Sequence, residues 1–176
     1  GPSSSGKTTT AKRLSVQLRV NGLDPLYMGT DDYFVERSET PVDENGKPDY
    51  EGLGALDIEL FNSNMNDLLA GREVDLPEFD FVEGTKNFGK RITAIREDQP
   101  IIIEGIHALN GKLTEAIPDE EKFRIYISPF TQLNIDMHNR APTTDARMLR
   151  RMVRAYTYRG TSAAGTLDQW SQVRAG

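Results

Sequence analysis

Gly1, Gly6, Lys7 and Thr8 fall in the order G-x-x-x-x-G-K-[ST], within the opening stretch GPSSSGKTTT. Glycines at these offsets allow backbone angles that turn successive amide N–H groups inward, and such a nest holds phosphate oxygens. Lys7 is placed to reach the β- and γ-phosphates of a nucleoside triphosphate, and the Thr8 hydroxyl to ligate Mg²⁺. Ser3, Ser4, Ser5 and Thr9 complete the phosphate-binding stretch. A flexible serine-rich terminus could also begin GPSSSG. Here a helical pattern follows at once, and its N-terminal dipole adds to an anion site.

Three carboxylates could serve the same chemistry. Glu104 closes the apolar run QPIIIEG, and the carboxyl end of a buried strand is where α/β sheets hold ligands. It reads either as the acid on the metal side or as a cap on the next turn. Asp31 and Asp32 follow the short strand candidate DPLYMG, at the same kind of edge. A hydroxyl acceptor attacking a γ-phosphate needs a carboxylate to orient it and take its proton, although paired aspartates also occur in solvated turns. Of two adjacent residues, one faces the site. His107 stands alone in its loop and reads as structural.

Arg147, Arg150, Arg151 and Arg154 fall within about 100° of one another on a helix, with Leu149, Met152, Val153 and Tyr156 on the opposite arc. A solvated amphipathic helix is one reading. A lid is the other, because arginine forks match phosphate oxygens and solvated faces normally mix charge signs.

The elements that must position these residues alternate between helix and strand. KTTTAKRLSVQLRVNG reads as a helix stopped by Asn21-Gly22, and LDIELFNSNMNDLLAGR as one with Phe61, Met65, Leu68 and Leu69 on one face and Gly71 at its end. VDLPEFDFVEGTKNFGKRIT predicts an antiparallel hairpin. QPIIIEG and KFRIYISP predict strands buried on both faces, and a helix is expected from Thr143 to about Gly160, with another to the end. The fold class expected is α/β with a parallel sheet. At 176 residues, one domain spanning 1–176 is expected.

Composition narrows the function. With no cysteine there is no disulfide or thiolate metal site, and a reducing cytoplasm is the expected compartment. No run approaches the ~18 apolar residues of a membrane helix. A net charge of −6 argues against general nucleic-acid binding. The expected partner is a small molecule, and the sequence leaves room for a homo-oligomer.

Taken in order, GPSSSGKTT, DDYF, PDYEGLGALD, LPEFDF, IIIEGIH and RMLRRMVRAYTYRG resemble the uridine kinase and phosphoribulokinase family of phosphate-loop kinases, over nearly the whole chain. The resemblance implies a three-layer sandwich around a five-stranded parallel sheet. It also implies an added hairpin at about 74–93 that helps cover a nucleoside, and an arginine-rich lid at about 140–160. It casts Asp31 as the base for a nucleoside 5′-hydroxyl, Glu51 as the acid holding ribose hydroxyls, and Phe34 and Phe79 as aromatics around the base. Asp32 falls on the substrate side. Arg151, Arg154 and Arg159 match lid arginines that contact phosphates, and Glu104 the acid near Mg²⁺.

The activity implied is ATP-dependent phosphorylation of the 5′-hydroxyl of a ribonucleoside, uridine or cytidine first. A kinase of a phosphorylated sugar or other small alcohol is the sister reading. Gly84 stands where uridine/cytidine kinases carry a base-reading histidine, and Ala155 where the lid often has Asp. Those two departures favour a non-catalytic nucleotide-binding module, whereas Lys7, Thr8, Asp31 and Glu104 together favour an enzyme. The missing strand before Gly1 and the abrupt end at WSQVRAG suggest a piece cut at both ends. Relatives of this bacterial type commonly carry an N-terminal domain similar to one in threonyl-tRNA synthetase.

Overall fold

The computed structural model describes residues 1–115, 117–128 and 134–175. They form two compact units, one of Thr8–Ile125 and one of Gly1–Lys7 with Tyr126–Gly176. The architecture is mixed α/β.

In the first unit, helix α1 (Lys7–Val20) buries Ala11 and Ser15, four residues apart on one face. It stops as its sequence predicts, with the Gly22 and Leu23 amides turned back onto Arg19 and Leu18. Strand β1 (Leu26–Gly29) follows. Helix α2 (Ile58–Leu69) is capped by Asp57, whose carboxylate accepts from the Leu60 amide at 3.0 Å. Its buried face is Phe61, Asn64, Met65 and Leu68. Leu69, expected on that face, is instead 46% exposed at the last position of the helix. Asn64 takes the buried place because it has a partner there, donating to the Tyr33 hydroxyl at 3.1 Å.

The predicted hairpin forms as two nested antiparallel ladders. Strand β2 (Val74–Asp75) pairs with β5 (Ile92–Thr93), and β3 (Glu78–Asp80) with β4 (Thr85–Asn87). Pro77 lies in the break between β2 and β3, where a residue without an N–H cannot extend a ladder. At the tip, Asp80 accepts from the Val82 and Glu83 amides at 2.8 and 3.1 Å.

Strand β6 (Ile101–Glu104) runs parallel to β1 with Gly29 opposite Glu104. Its residues are half-buried rather than fully enclosed. Among the described residues the parallel sheet has these two strands, not the five that the resemblance implies. Of the stretch 122–129, expected as a further strand, Pro129 lies outside the described residues and 122–128 join no ladder. Its charges are engaged locally, with Lys122 and Arg124 on Asp119 at 3.2 and 2.6 Å, and Phe123 is 91% exposed. The apolar alternation therefore buries little.

The core of this unit is Met28, Tyr33, Leu56, Phe61, Met65, Leu68, Val74, Leu76 and Leu113. Tyr33 and Phe61 meet edge to face at 4.9 Å. One close approach fixes the sheet edge: a Cβ at Gly105 would lie 1.7 Å from Thr30 Oγ1, so only glycine lets the turn after β6 pass the turn after β1.

The second unit contains helix α3 (Thr143–Arg159), ended by Gly160 as expected. The single helix predicted beyond it is two short ones, α4 (Ala163–Asp168) and α5 (Trp170–Ala175). Ser162 caps α4 by accepting from the Gly165 amide. On α3, Leu149, Val153 and Tyr156 are exposed, whereas Arg147 and Arg151 are half-buried and Ala155 buried. Of the arginine arc, Arg147 and Arg151 turn inward, where they have acceptors to meet, while Arg150 and Arg154 are exposed.

Candidate active site

Those acceptors belong to the opening loop. Ser4 has φ +59°, the one positive-φ residue other than glycine among the described residues, and Gly6 has φ +97°. Alternation of this kind aims successive amides into one concavity. Lys7 Nζ donates to the Pro2 carbonyl at 2.8 Å, so the lysine folds back along the loop. Arg147 Nε donates to the Ser3 carbonyl at 2.9 Å, and Arg151 Nη1 to the Ser3 hydroxyl at 2.8 Å. A Cβ on Gly6 would lie 3.5 Å from Arg150 Nη2. Arg147 also stacks on Trp170, 5.6 Å from the ring centre. The Ser4 and Ser5 hydroxyl oxygens are buried without a hydrogen-bond partner in the protein. Buried polar atoms left so are uncommon, and a loop built to hold phosphate oxygens is one physical reason for them. Gly1 packs tightly, since a Cβ there would fall 2.1 Å from the Ile127 carbonyl oxygen.

Three arginines thus lie on this loop, Arg147, Arg150 and Arg151. Arg154, exposed, and Arg159, half-buried, sit further along α3. Thr9 lies on the exposed side of α1.

In the other unit, Thr8 Oγ1 donates to Glu104 Oε2 at 3.1 Å. Residues 96 positions apart are brought together because α1 starts where β6 ends. A hydroxyl and a carboxylate converging at a sheet edge are the hard oxygen donors that suit Mg²⁺, which takes few protein ligands and keeps several waters. Among the described residues no group of three or more His, Cys, Asp or Glu side chains could hold a metal ion by itself.

Asp31 and Asp32 lie in the 3-10 turn Thr30–Tyr33, directly after β1. The two differ. Asp32 Oδ2 accepts from Arg91 Nη1 at 2.8 Å, and Arg91 also reaches the carbonyls of Tyr27 at 3.2 Å and Pro77 at 3.4 Å. Burial pushes the Asp32 carboxyl up while Arg91 pulls against it. Asp32 is committed to anchoring the turn; Asp31 beside it is half-buried.

Phe34 and Phe79 pack at 5.7 Å between centroids, with Phe81 at 6.2 and 5.2 Å from them. Glu51 follows an Asp49-capped turn, and its carbonyl oxygen lies 2.8 Å from His107 Nε2. His107, read from the sequence as structural, is thus bonded to the backbone of the loop that carries Glu51. At Gly84 an added Cβ would meet Arg37 at 2.8 Å. The Arg37 amide donates to the Gly84 carbonyl, and its guanidinium to Phe81 O at 2.9 Å. Arg37 fills the space beside Gly84.

Sequence reasoning missed Arg91, Phe81 and Tyr27. Phe81 stands two residues after Phe79, the strand spacing that puts both on one face, and could have been found. Arg91 carries no local signal; its acceptors lie 14 to 64 residues away.

Residues 1–175 match the model of the phosphoribulokinase / uridine kinase family. The chain belongs to that family. It is 29% identical over 173 residues to a uridine kinase of Ligilactobacillus salivarius, covering 98% of this chain and 72% of the relative. A uridine kinase of Macrococcus caseolyticus is 30% identical, with 98% and 74% covered. Among solved structures, a possible uridine kinase from Bacillus stearothermophilus superposes with a TM-score of 0.53 at 28% identity, over 65% of this chain and 62% of the other. The family makes the protein a phosphotransferase of the kinase type, with ATP implied as phosphate donor. No helix among the described residues is long and apolar enough to cross a membrane.

Proposed function

We propose that the protein phosphorylates the 5′-hydroxyl of a ribonucleoside, uridine or cytidine, with ATP as donor. The observation that carries this reading is the Thr8–Glu104 contact at the carboxyl edge of β6, with Asp31 just past the neighbouring strand. It pairs a phosphate-and-metal side with a carboxylate for an alcohol. The names of the relatives support a pyrimidine nucleoside as acceptor.

Gly1, Ser3, Ser4, Ser5, Gly6 and Lys7 hold the β- and γ-phosphates through backbone amides and the lysine charge. Thr8 and Glu104 would hold Mg²⁺, whose charge lowers the repulsion between phosphate oxygens. Asp31 orients the acceptor hydroxyl and accepts its proton as the new O–P bond forms; the bond from the γ-phosphorus to the bridging oxygen breaks and ADP leaves. Arg151, with Arg154 and Arg159, balances charge on the transferring group and excludes water. Glu51 takes the ribose hydroxyls, while Phe34 and Phe79, joined by Phe81, offer faces to the base.

A second reading, a phosphorylated sugar as acceptor, is favoured by Arg37 beside Gly84, since a guanidinium suits an anionic group. A coupled ADP-release assay over nucleosides and sugar phosphates separates the two. Release dependent on uridine or cytidine is the expected result. Release with a sugar phosphate alone overturns the nucleoside reading, and release with no acceptor overturns both.

A further inference from the structure

Tyr27 is used by none of the roles above, yet its side chain ends among the carboxylates of the sheet edge. The parallel register sets Tyr27 opposite Ile102 and Gly29 opposite Glu104, so Tyr27 and Glu104 share one face of the pair. Gly29 leaves that face open. A Cβ there would lie 3.6 Å from the Tyr27 hydroxyl and 3.8 Å from Asp32 Oδ2. Through this gap the Tyr27 hydroxyl donates to Glu104 Oε2 at 3.0 Å, the same oxygen that accepts from Thr8 at 3.1 Å. The Tyr27 backbone is fixed as well, its carbonyl accepting from Arg91.

We infer that Tyr27 is a positioning residue for the metal side of the site: its hydroxyl pins one oxygen of Glu104 so that the carboxylate meets the cation in a single orientation. The inference rests on the reading of Thr8 and Glu104 as metal-side groups. Loss of a partner that orients a metal ligand typically costs about 10–100-fold in metal affinity. Tyr27 touches neither phosphate nor acceptor in this scheme and acts only through Glu104.

That restriction makes it testable by binding, without turnover. The probe is Mn²⁺ with a non-hydrolysable ATP analogue, compared with the same analogue in EDTA, on the full chain. Tyr27→Phe, which keeps the ring, is expected to weaken the Mn²⁺-dependent affinity about 10-fold while metal-free affinity stays the same. In a Glu104→Gln background the same change is expected to have no further effect. Glu104→Asp, which withdraws the carboxylate by one methylene, is likewise expected to silence it.

A loss under about threefold, or tighter binding, overturns the inference; so does an equal loss without metal, or an undiminished loss in the Glu104→Gln background. A wild-type chain that binds the analogue no better with Mn²⁺ than without refutes the metal-side reading and this one together. Wild-type binding with Tyr27→Phe unaffected refutes this one alone.

Discussion

The unit of Gly1–Lys7 with Tyr126–Gly176 carries eight Lys and Arg against three Asp and Glu, whereas Thr8–Ile125 carries 13 against 24. Their nets of +5 and −11 make up the chain's −6. The two also cohere differently. Thr8–Ile125 is built around nine buried hydrophobic side chains. Among the described residues of the cationic unit the buried hydrophobic side chains are Ala155 and Val173, and Arg147 and Arg151 are spent on the loop and on Trp170. An average charge therefore describes neither unit. The mild acidity that argues against nucleic acid is a strongly acidic unit partly offset by a cationic one, and the cationic one holds the phosphate loop. The proposed roles divide in the same way: phosphate-binding residues 1–7 fall in the cationic unit, and the carboxylates Asp31 and Glu104 in the acidic one.

The largest effect that would break this division is expected at Asp31. If the acidic unit supplies the base, Asp31→Asn slows turnover by about 10²–10⁴-fold while nucleotide affinity stays within about twofold. Steady-state kinetics with nucleotide affinity measured by calorimetry checks both halves. Near-normal turnover would remove Asp31 from the chemistry and leave the acidic unit a metal-side role only.

A smaller effect sharpens the other side. Arg151→Ala removes one charged donor from the loop, and hydrogen bonds to charged groups are worth about 1.5–3 kcal/mol. Nucleotide affinity is expected to fall by about 10-fold or more, with a shallower dependence on ionic strength. The same substitution should leave the melting temperature of the acidic unit's core unmoved. Unchanged affinity at low salt would assign Arg151 to holding Ser3 and nothing else.

Much of this was legible in the sequence where the signal is local. The phosphate loop is eight consecutive residues, the stop of α1 is Asn21-Gly22, and Glu104 sits at the end of an apolar run; each can be read without knowing the fold. Leu69 was misread because helical spacing alone cannot say where a helix end leaves the core, and Asn64 was overlooked because its burial depends on Tyr33, 31 residues away. The stretch 122–128 looks like a strand by composition, but a strand is made by its neighbour. Arg91 and Tyr27 are further cases of the same limit. Nothing next to either residue marks it, and its role exists only once β1, β6 and the hairpin are assembled.

The smallest expected effect concerns the acid side of stability in Thr8–Ile125. Asp57 caps α2 and is bonded to Lys86 of β4, tying helix to hairpin. Partial burial pushes its carboxyl up, but the Lys86 ammonium and the Leu60 amide pull harder and leave it below the ordinary value of 3.8. A carboxyl depressed on folding stabilises the folded state above its unfolded value, and that contribution fades as pH falls through the lower folded value. Asp57→Asn keeps a good helix cap while removing the charge. Its melting temperature is therefore expected to fall less steeply than that of the wild type as pH drops from about 6 to about 2, the two curves converging at the acid end. Asp80, Asp119 and Asp136, also depressed, and Asp32, shifted the opposite way, are common to both chains and cancel in the comparison. Parallel curves would mean that the ionised Asp57 carboxylate, and with it the Lys86 bond, contributes no net stability, leaving the tie between α2 and the hairpin to packing alone.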